Sequence, residues 1–203
     1  MKLIIMTKST FFVEENQILE ALFEAGLDSL HLYKPNSEPI YSERLLTLLA
    51  DGYLDRITVH EHFYLKDEFH LRGIHLNNHT IEPPAGYRGS VTRTCHDISE
   101  LQEAKKHSPY VFLKTIFDSQ SNPADKSTHD TGQLRQAAQQ GLIDKNVYAM
   151  GGINLDNLSR VRDLGFGGAV ICGDLWNRFN IQSELDYKAL IHHFEKLQKA
   201  TMV

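Results

Sequence analysis

Short runs of β-branched and other apolar residues recur along the chain and are separated by segments with helical periodicity. Each run is four to six residues long. The runs lack the strict alternation of a half-exposed strand, which is typical of parallel strands covered on both faces. The predicted strands are Leu3 to Thr7, Ser29 to Tyr33, Arg56 to His60, Gly73 to Leu76, Ser90 to Arg93, Tyr110 to Thr115, Asn146 to Met150 and Gly168 to Cys172.

Helical patterns fill most of the intervals between these strands. Gly26 marks the end of the first helix. Asp97, with Glu100 three residues later, has the pattern of a capping box. The segment from 77 to 89 contains two adjacent prolines and is predicted to be a loop. The predicted helices are Glu14 to Ala25, Glu43 to Ala50, Phe63 to Leu71, Ile98 to His107, Gly132 to Gln140, Leu155 to Leu164 (with Asn154 as its cap) and Leu185 to Gln198.

Strands that alternate with helices in this way indicate an α/β protein with a single (β/α)8 TIM barrel over residues 1–203. A doubly wound open sheet is the alternative. It is disfavoured because eight evenly spaced strands, without a GxGxxG after the first, fit a closed barrel better. In such barrels the active site lies where strands end and the following loops begin. Candidate site residues are therefore sought at the carboxyl ends of the strands.

Composition narrows the class of protein further. The net charge is −5 and no basic stripe is present, which argues against a nucleic-acid binder. No apolar run approaches the roughly 20 residues that span a bilayer, which argues against a membrane protein. The two cysteines, Cys95 and Cys172, are far apart, so a disulfide scaffold is not indicated and a reducing, cytoplasmic location is expected.

Two glycine-containing strand ends predict a phosphate site. Gly151 and Gly152 follow the seventh strand, and Cys172 and Gly173 follow the eighth. Glycine lets the backbone approach a ligand closely, and many barrels bind phosphate after these two strands. Two tight turns that need glycine only for steric reasons are the alternative interpretation.

A histidine at the end of the fifth strand is the candidate proton carrier. His96 follows Thr94 closely, and both are expected at the barrel mouth. An imidazole transfers protons near neutral pH, so a catalytic role is plausible chemistry for this position. The competing interpretation is a histidine beside a helix start that Asp97 simply caps.

Further polar residues stand at the ends of strands two, three, four and six. His60, His62 and His75 suggest either a metal site or a polar layer at the barrel end. Glu61 lies between the first two of these histidines. Candidate substrate-binding residues at these strand ends, together with the end of strand five, are Tyr33, Lys34, His60, Asn78, Thr94 and Lys114.

Four segments, in this order, resemble the thiamin phosphate synthase/TenI family. They are Gly73-Ile74-His75-Leu76-Asn77, Thr94-Cys95-His96-Asp97, Ala149 to Asn154, and Gly167 to Asp174. The resemblance implies a phosphorylated thiazole as ligand, with its phosphate on the backbone of Gly151, Gly152, Cys172 and Gly173. It also implies a homodimer.

The resemblance implies two possible activities. A synthase joins a pyrimidine diphosphate to the thiazole phosphate and needs Mg2+ and cationic groups to stabilise the departing pyrophosphate. A TenI-like tautomerase moves a proton on a thiazole carboxylate so that the ring becomes aromatic, which requires a proton carrier and no metal. By the resemblance, His96 is that carrier.

Departures from the family pattern favour the tautomerase. The Arg-x-Lys clamp expected after strand two is replaced by Tyr33-Lys34-Pro35, and the metal-binding Asn-Asp after strand three by His60-Glu61. The second metal-binding position falls near Thr80, and the lysine of the strand-six loop is displaced to Lys126. The Mg2+-dependent synthase, with Glu61 as metal ligand, is the first alternative. A non-catalytic sensor of a thiamin intermediate and a metal-dependent sugar-phosphate isomerase or epimerase are the others.

Overall fold

The chain folds as a closed barrel of parallel strands in the computed structural model, which describes residues 1–77, 80–119, 124, 126–178, 180 and 184–202. Consecutive strands pair in parallel, and the first strand pairs with the last. Within the described residues the eight strands are Lys2–Met6 (β1), Leu30–Leu32 (β2), Ile57–Val59 (β3), Gly73–Leu76 (β4), Ser90–Cys95 (β5), Val111–Leu113 (β6), Val147–Met150 (β7) and Gly168–Ile171 (β8). The predicted (β/α)8 barrel is confirmed.

Helices surround the barrel. No helix in the described part of the chain combines the length and apolar character needed to cross a membrane. In the same part of the chain, the α-helices are Glu15–Glu24 (α1), Pro39–Thr47 (α2), Asp51–Leu54 (α3), Leu65–Glu68 (α4), Leu101–Ala104 (α5), Thr131–Gln139 (α6), Leu158–Asp163 (α7), Gly173–Trp176 (α8) and Glu184–Met202 (α9), and a 3-10 turn over Ile98–Glu100 precedes α5.

The first helix follows its sequence signals closely. Its buried residues Ile18, Leu19 and Leu22 recur at helical spacing and form the face that packs on the barrel. At its end Gly26 has a φ of 100°, and the Leu27 amide donates to the Leu22 carbonyl. This is a Schellman arrangement, which requires a left-handed residue that glycine provides without strain.

Several predicted boundaries were wrong. The helix predicted over 43–50 is α2, which spans Pro39–Thr47, and neither α3 nor α8 was predicted. The helix predicted from Leu155 begins at Leu158, because the Asn154 side chain accepts hydrogen bonds from the amides of Asp156 and Asn157 and so caps the preceding turn. Strand β6 ends before Thr115, whose φ is 59°.

The barrel interior is divided into an apolar and a polar half. Alternate strand residues point inward, because successive side chains of a strand face opposite sides. Strands β1, β6, β7 and β8 contribute a small apolar cluster of Ile4, Met6, Phe112, Tyr148 and Val170. Strands β2 to β5 contribute the buried polar side chains His31, Thr58, His75 and Thr92, and His60, which directly follows β3, adds another. Barrel interiors are usually filled by branched apolar residues, so the polar half needs a separate explanation.

Candidate active site

A cavity of about 550 Å³ opens at the carboxyl ends of the strands. All eight strand ends contribute at least one lining residue. Those that follow or end the strands, in chain order, are Met6, Thr7, Lys8, Ser9, Tyr33, Pro35, His60, Asn77, Thr94, His96, Lys114, Thr115, Met150, Gly151, Gly152, Ile153, Cys172 and Gly173. The cavity therefore lies where a (β/α)8 barrel holds its active site.

Most of the predicted site residues meet in this cavity. His96 and the four predicted phosphate-binding residues line it, as do Tyr33, His60, Thr94 and Lys114. Asn78 lies outside the described residues. Among the described residues predicted to bind substrate, Lys34 is the one that the structure places elsewhere, and Glu61, the metal ligand expected of a synthase, does not line the cavity either.

Lys34 is buried and does not line the cavity. Its Nζ lies 2.6 Å from Oε1 of Glu15 and donates to the carbonyls of Lys8 and Thr10. Burial lowers the pKa of Lys34 and raises that of Glu15, and the attraction between the two charges opposes both shifts. The prediction of a substrate contact for Lys34 is therefore corrected: its ammonium binds the segment after β1.

The glycine pair after β7 is packed against the loop after β6. Gly151 and Gly152 have φ values of 97° and 64°. A Cβ on Gly151 would lie 2.9 Å from the Thr115 Cα, and one on Gly152 would overlap the Asp118 carbonyl oxygen. The steric need for glycine is therefore real, and the same backbone also borders the cavity. The same two glycines therefore allow the loop after β6 to pack closely and leave the backbone open to a ligand in the cavity.

His96 is held at the cavity wall by its own backbone. The Glu100 carboxylate accepts hydrogen bonds from the amides of His96 (3.2 Å) and Asp97 (2.9 Å), and Asp97 accepts from the Ser99 amide. This is the predicted capping box, and it fixes the turn on which the half-buried imidazole stands.

Three buried histidines lie side by side inside the barrel, and the metal-ligand interpretation of the sequence identified only two of them. One ring nitrogen from each of His31, His60 and His75 lies within 4.8 Å of the others. His62 is absent from the group because its φ is 53° and its Nε2 lies 2.9 Å from the Ser37 carbonyl. Since β3 ends at Val59, His60 and His62 do not share a strand face.

The cluster is hydrogen-bonded throughout. His31 Nδ1 lies 2.9 Å from His60 Nε2, and His75 lies 2.7 Å from the Thr92 hydroxyl and 2.8 Å from that of Thr94. The rings of His60 and His75 are stacked with centroids 4.2 Å apart. Burial lowers the pKa of His60 to about 3 and holds the pKa values of His31 and His75 well below 6.5. All three imidazoles are therefore neutral at pH 7.

Sequence reasoning missed Lys8, which lines the cavity, and His31, which belongs to the buried histidine cluster, although usable signals existed for both. Lys8 lies two residues after the end of β1, so the search for candidates at strand ends could also have found it. His31 lies two residues before Tyr33 on the same strand, so the period of two places both side chains on one face. That face could be recognised as inward only once the barrel was closed.

Comparison with known proteins identifies the family. A family model described as thiamine monophosphate synthase (TMP-TENI) matches residues 3–175, which is most of the chain. The chain belongs to this family. The predicted resemblance is confirmed, and with it the assignment to a family of thiamin-biosynthesis enzymes.

Individual relatives of the thiamine monophosphate synthase family agree with this assignment. A thiamine-phosphate synthase of Serratia proteamaculans is 26% identical over 170 residues, 78% of this chain and 79% of that protein. The crystal structure of a thiamine phosphate pyrophosphorylase from Bacteroides thetaiotaomicron is 49% identical, with a TM-score of 0.89 over 100% of this chain and 98% of the other. A Pyrococcus furiosus thiamine phosphate pyrophosphorylase has a TM-score of 0.77 at 18% identity, covering 99% and 95%, and shows the fold alone.

The described residues at the expected Mg2+ positions of this family do not suit that ion. Mg2+ prefers carboxylate and water oxygens. His60 is a buried imidazole bonded to His31, and the Glu61 carboxylate accepts a hydrogen bond of 2.9 Å from the Lys34 amide. Among the described residues that line the cavity there is no Asp or Glu, whereas Lys8 and Lys114 are present. These side chains suit an anion rather than a divalent cation.

Proposed function

We propose that this protein is a thiazole phosphate tautomerase of the TenI-like type. The observation that carries the proposal is the composition of the cavity: His96, two lysines and the glycine-rich ends of β7 and β8 line it, without a described carboxylate. These groups suit a phosphorylated ligand and a proton transfer. They do not supply the oxygen ligands through which Mg2+ would hold a pyrophosphate.

The reaction needs only the movement of protons. The backbone of Gly151, Gly152, Cys172 and Gly173 would hold the phosphate and so fix the ring relative to His96. The imidazole of His96 takes a proton from one carbon of the thiazole carboxylate, and a proton is returned elsewhere on the conjugated system. The electron pair that is released closes the aromatic ring. Atoms and charge are conserved, so no co-reactant is required.

A thiamin phosphate synthase remains the second candidate, because the Serratia and Bacteroides relatives carry names for that activity. Lys8 and Lys114 would then face the pyrophosphate of the second substrate. The two candidates differ in their requirements: the synthase needs a pyrimidine diphosphate and Mg2+, and the tautomerase needs neither.

The deciding experiment follows aromatisation of thiazole carboxylate phosphate by absorbance, with and without EDTA. Wild type is compared with His96→Ala and with the matched control His107→Ala, whose imidazole is 65% exposed on the barrel exterior. We expect EDTA-resistant turnover that falls by about 10²- to 10⁴-fold in His96→Ala and is unchanged in the control.

Other outcomes would overturn the proposal in identifiable ways. Product formed only with pyrimidine diphosphate and Mg2+ would establish the synthase. Saturable binding of the thiazole phosphate without turnover in either assay would indicate a sensor. Activity that follows a copurified transition metal would indicate the metal-dependent isomerase or epimerase.

A further inference from the structure

A row of three hydrogen-bonded side chains, Tyr110, His31 and His60, crosses the barrel from one end to the other and is called the file below. His60 lines the cavity at the carboxyl ends of the strands, and its Nε2 lies 2.9 Å from His31 Nδ1. The other nitrogen of His31, Nε2, lies 2.8 Å from the Tyr110 hydroxyl. Tyr110 in turn lines a second cavity of about 390 Å³ at the amino ends of the strands, beside Arg72 and Tyr148. The fully buried His31 therefore links the side chains that line the two openings.

The chemistry of neutral imidazole couples the three groups. A neutral imidazole has one N–H donor and one bare acceptor nitrogen. If Tyr110 donates to His31 Nε2, then His31 Nδ1 carries its proton and donates to His60 Nε2, so the proton of His60 resides on Nδ1. If His31 Nε2 donates to Tyr110 instead, both tautomers reverse and His60 Nδ1 becomes an acceptor.

The neighbouring side chains hold the file in place. His75 is fixed between the hydroxyls of Thr92 and Thr94, and its ring stacks on His60. Phe112 packs against the His31 ring with centroids 4.8 Å apart. Both nitrogens of His31 and of His75 have hydrogen-bond partners, and a metal bound here would have to displace them.

We propose that Tyr110, His31 and His60 form a proton relay that connects the active-site cavity with the opening at the amino ends of the strands. One passage moves a proton from the Tyr110 hydroxyl to His31 Nε2, one from His31 Nδ1 to His60 Nε2, and one from His60 Nδ1 into the cavity. Tyr110 regains a proton from water in the second cavity. One proton enters and one leaves, so the charge of the file is unchanged.

The use of this relay in turnover rests on the proposed function, with His60 as a second proton-exchanging group beside His96. The tautomeric coupling itself does not depend on that function. It is measured by nitrogen NMR of ¹⁵N-histidine-labelled protein, in which protonated and bare ring nitrogens have distinct shifts. Single His→Gln variants assign the signals.

The decisive comparison is wild type against Tyr110→Phe, with Tyr148→Phe as the matched control. The Tyr148 ring stacks on Tyr110 at 4.7 Å, so both variants remove one hydroxyl from the same place in the barrel. We expect Tyr110→Phe to shift the tautomer populations of both His31 and His60, and Tyr148→Phe to shift neither. A change at His31 without one at His60 would overturn the coupling.

Three further measurements keep the proposal testable. Should Tyr110→Phe fail to fold, His31→Phe interrupts the same file and should shift the His60 tautomer. A stoichiometric transition metal that copurifies with wild type and is lost in His31→Phe would overturn the relay.

For turnover, the solvent isotope effect should indicate several protons in flight in wild type and fewer in Tyr110→Phe. An unchanged isotope effect in an active Tyr110→Phe would remove the relay from catalysis, whereas absent activity in wild type would bear on the proposed function alone.

Discussion

Asp174 accepts a hydrogen bond from His193, whose Nε2 lies 2.7 Å from Oδ2, and both side chains are buried. The same oxygen accepts from the Leu155 amide at 3.3 Å, and Oδ1 accepts from Arg178 at 2.6 Å. Leu155 follows the glycine pair after β7, and Asp174 follows Gly173 after β8. A single carboxylate therefore connects the two proposed phosphate-binding segments to each other and to α9.

Replacing this carboxylate should weaken both stability and anion binding. In Asp174→Asn, at least one of the three donors would face the amide NH2 instead of an oxygen. We expect the free energy of unfolding to fall by about 2–4 kcal/mol, and the affinity for inorganic phosphate, measured by NMR titration, to fall as well. Asp163→Asn is the control, because that side chain is 74% exposed. Unchanged phosphate affinity in a folded Asp174→Asn would contradict the link.

The glycine pair gives a second prediction. Gly152→Ala introduces a Cβ at a φ of 64° and against the Asp118 carbonyl, so the loops after β6 and β7 must separate. We expect a loss of at least about 2 kcal/mol in urea denaturation. Gly52→Ala lies in α3 with nothing within 4 Å of the added Cβ. The control should be neutral or more stable by up to about 1 kcal/mol. Equal effects of the two substitutions would refute the steric explanation.

The strands could be predicted from the sequence because parallel strands buried on both faces consist of continuous apolar runs. The contacts of the side chains at the strand ends could not all be predicted, because those contacts involve residues that are distant in the sequence. Lys34 stands at a strand end like Lys8, yet Glu15, 19 residues away, binds its ammonium. Local spacing carries no information about such a pair.

The interior of the barrel shows the same limit. The sequence grouped His60 with His62, and the structure groups it with His31 and His75. The correct group depends on where β3 ends and on the register that sets His31 opposite Thr58 of the next strand. Neither can be obtained from periodicity within one strand. His96 and the residues predicted to bind phosphate do line the cavity, because their placement depends only on where the strands end.

The buried histidines predict a stability that falls in acid. The pKa of His60 is lowered from 6.5 to about 3 by burial, and those of His31 and His75 are also lowered. Between these values the unfolded chain binds protons that the folded chain does not, so stability is full above pH 6.5 and decreases as pH falls toward 3. A tenfold difference in proton affinity between the folded and unfolded chain corresponds to about 1.4 kcal/mol of stability.

Urea denaturation at several pH values between 7 and 4 checks this dependence. Each titrating histidine adds to the slope of stability against pH, so His60→Gln should reduce the slope, whatever its effect at pH 7. His107→Gln, which removes an exposed imidazole from the barrel exterior, is the comparison variant. Equal slopes in wild type and His60→Gln would show that His60 does not contribute to acid unfolding.

The capping box at the cavity predicts an effect on turnover rather than on binding, if His96 is the proton carrier. Glu100 holds the backbone on which His96 stands, and it does not line the cavity. Glu100→Ala should lower kcat for thiazole carboxylate phosphate by about ten- to a hundredfold with little change in KM, because misplacing a reacting group is costly. Glu100→Gln keeps an acceptor oxygen and should restore most of the rate. Glu103→Ala, three residues later in α5 and 68% exposed, serves as control. A raised KM with an unchanged kcat would show that Glu100 acts on substrate binding instead of on the position of His96.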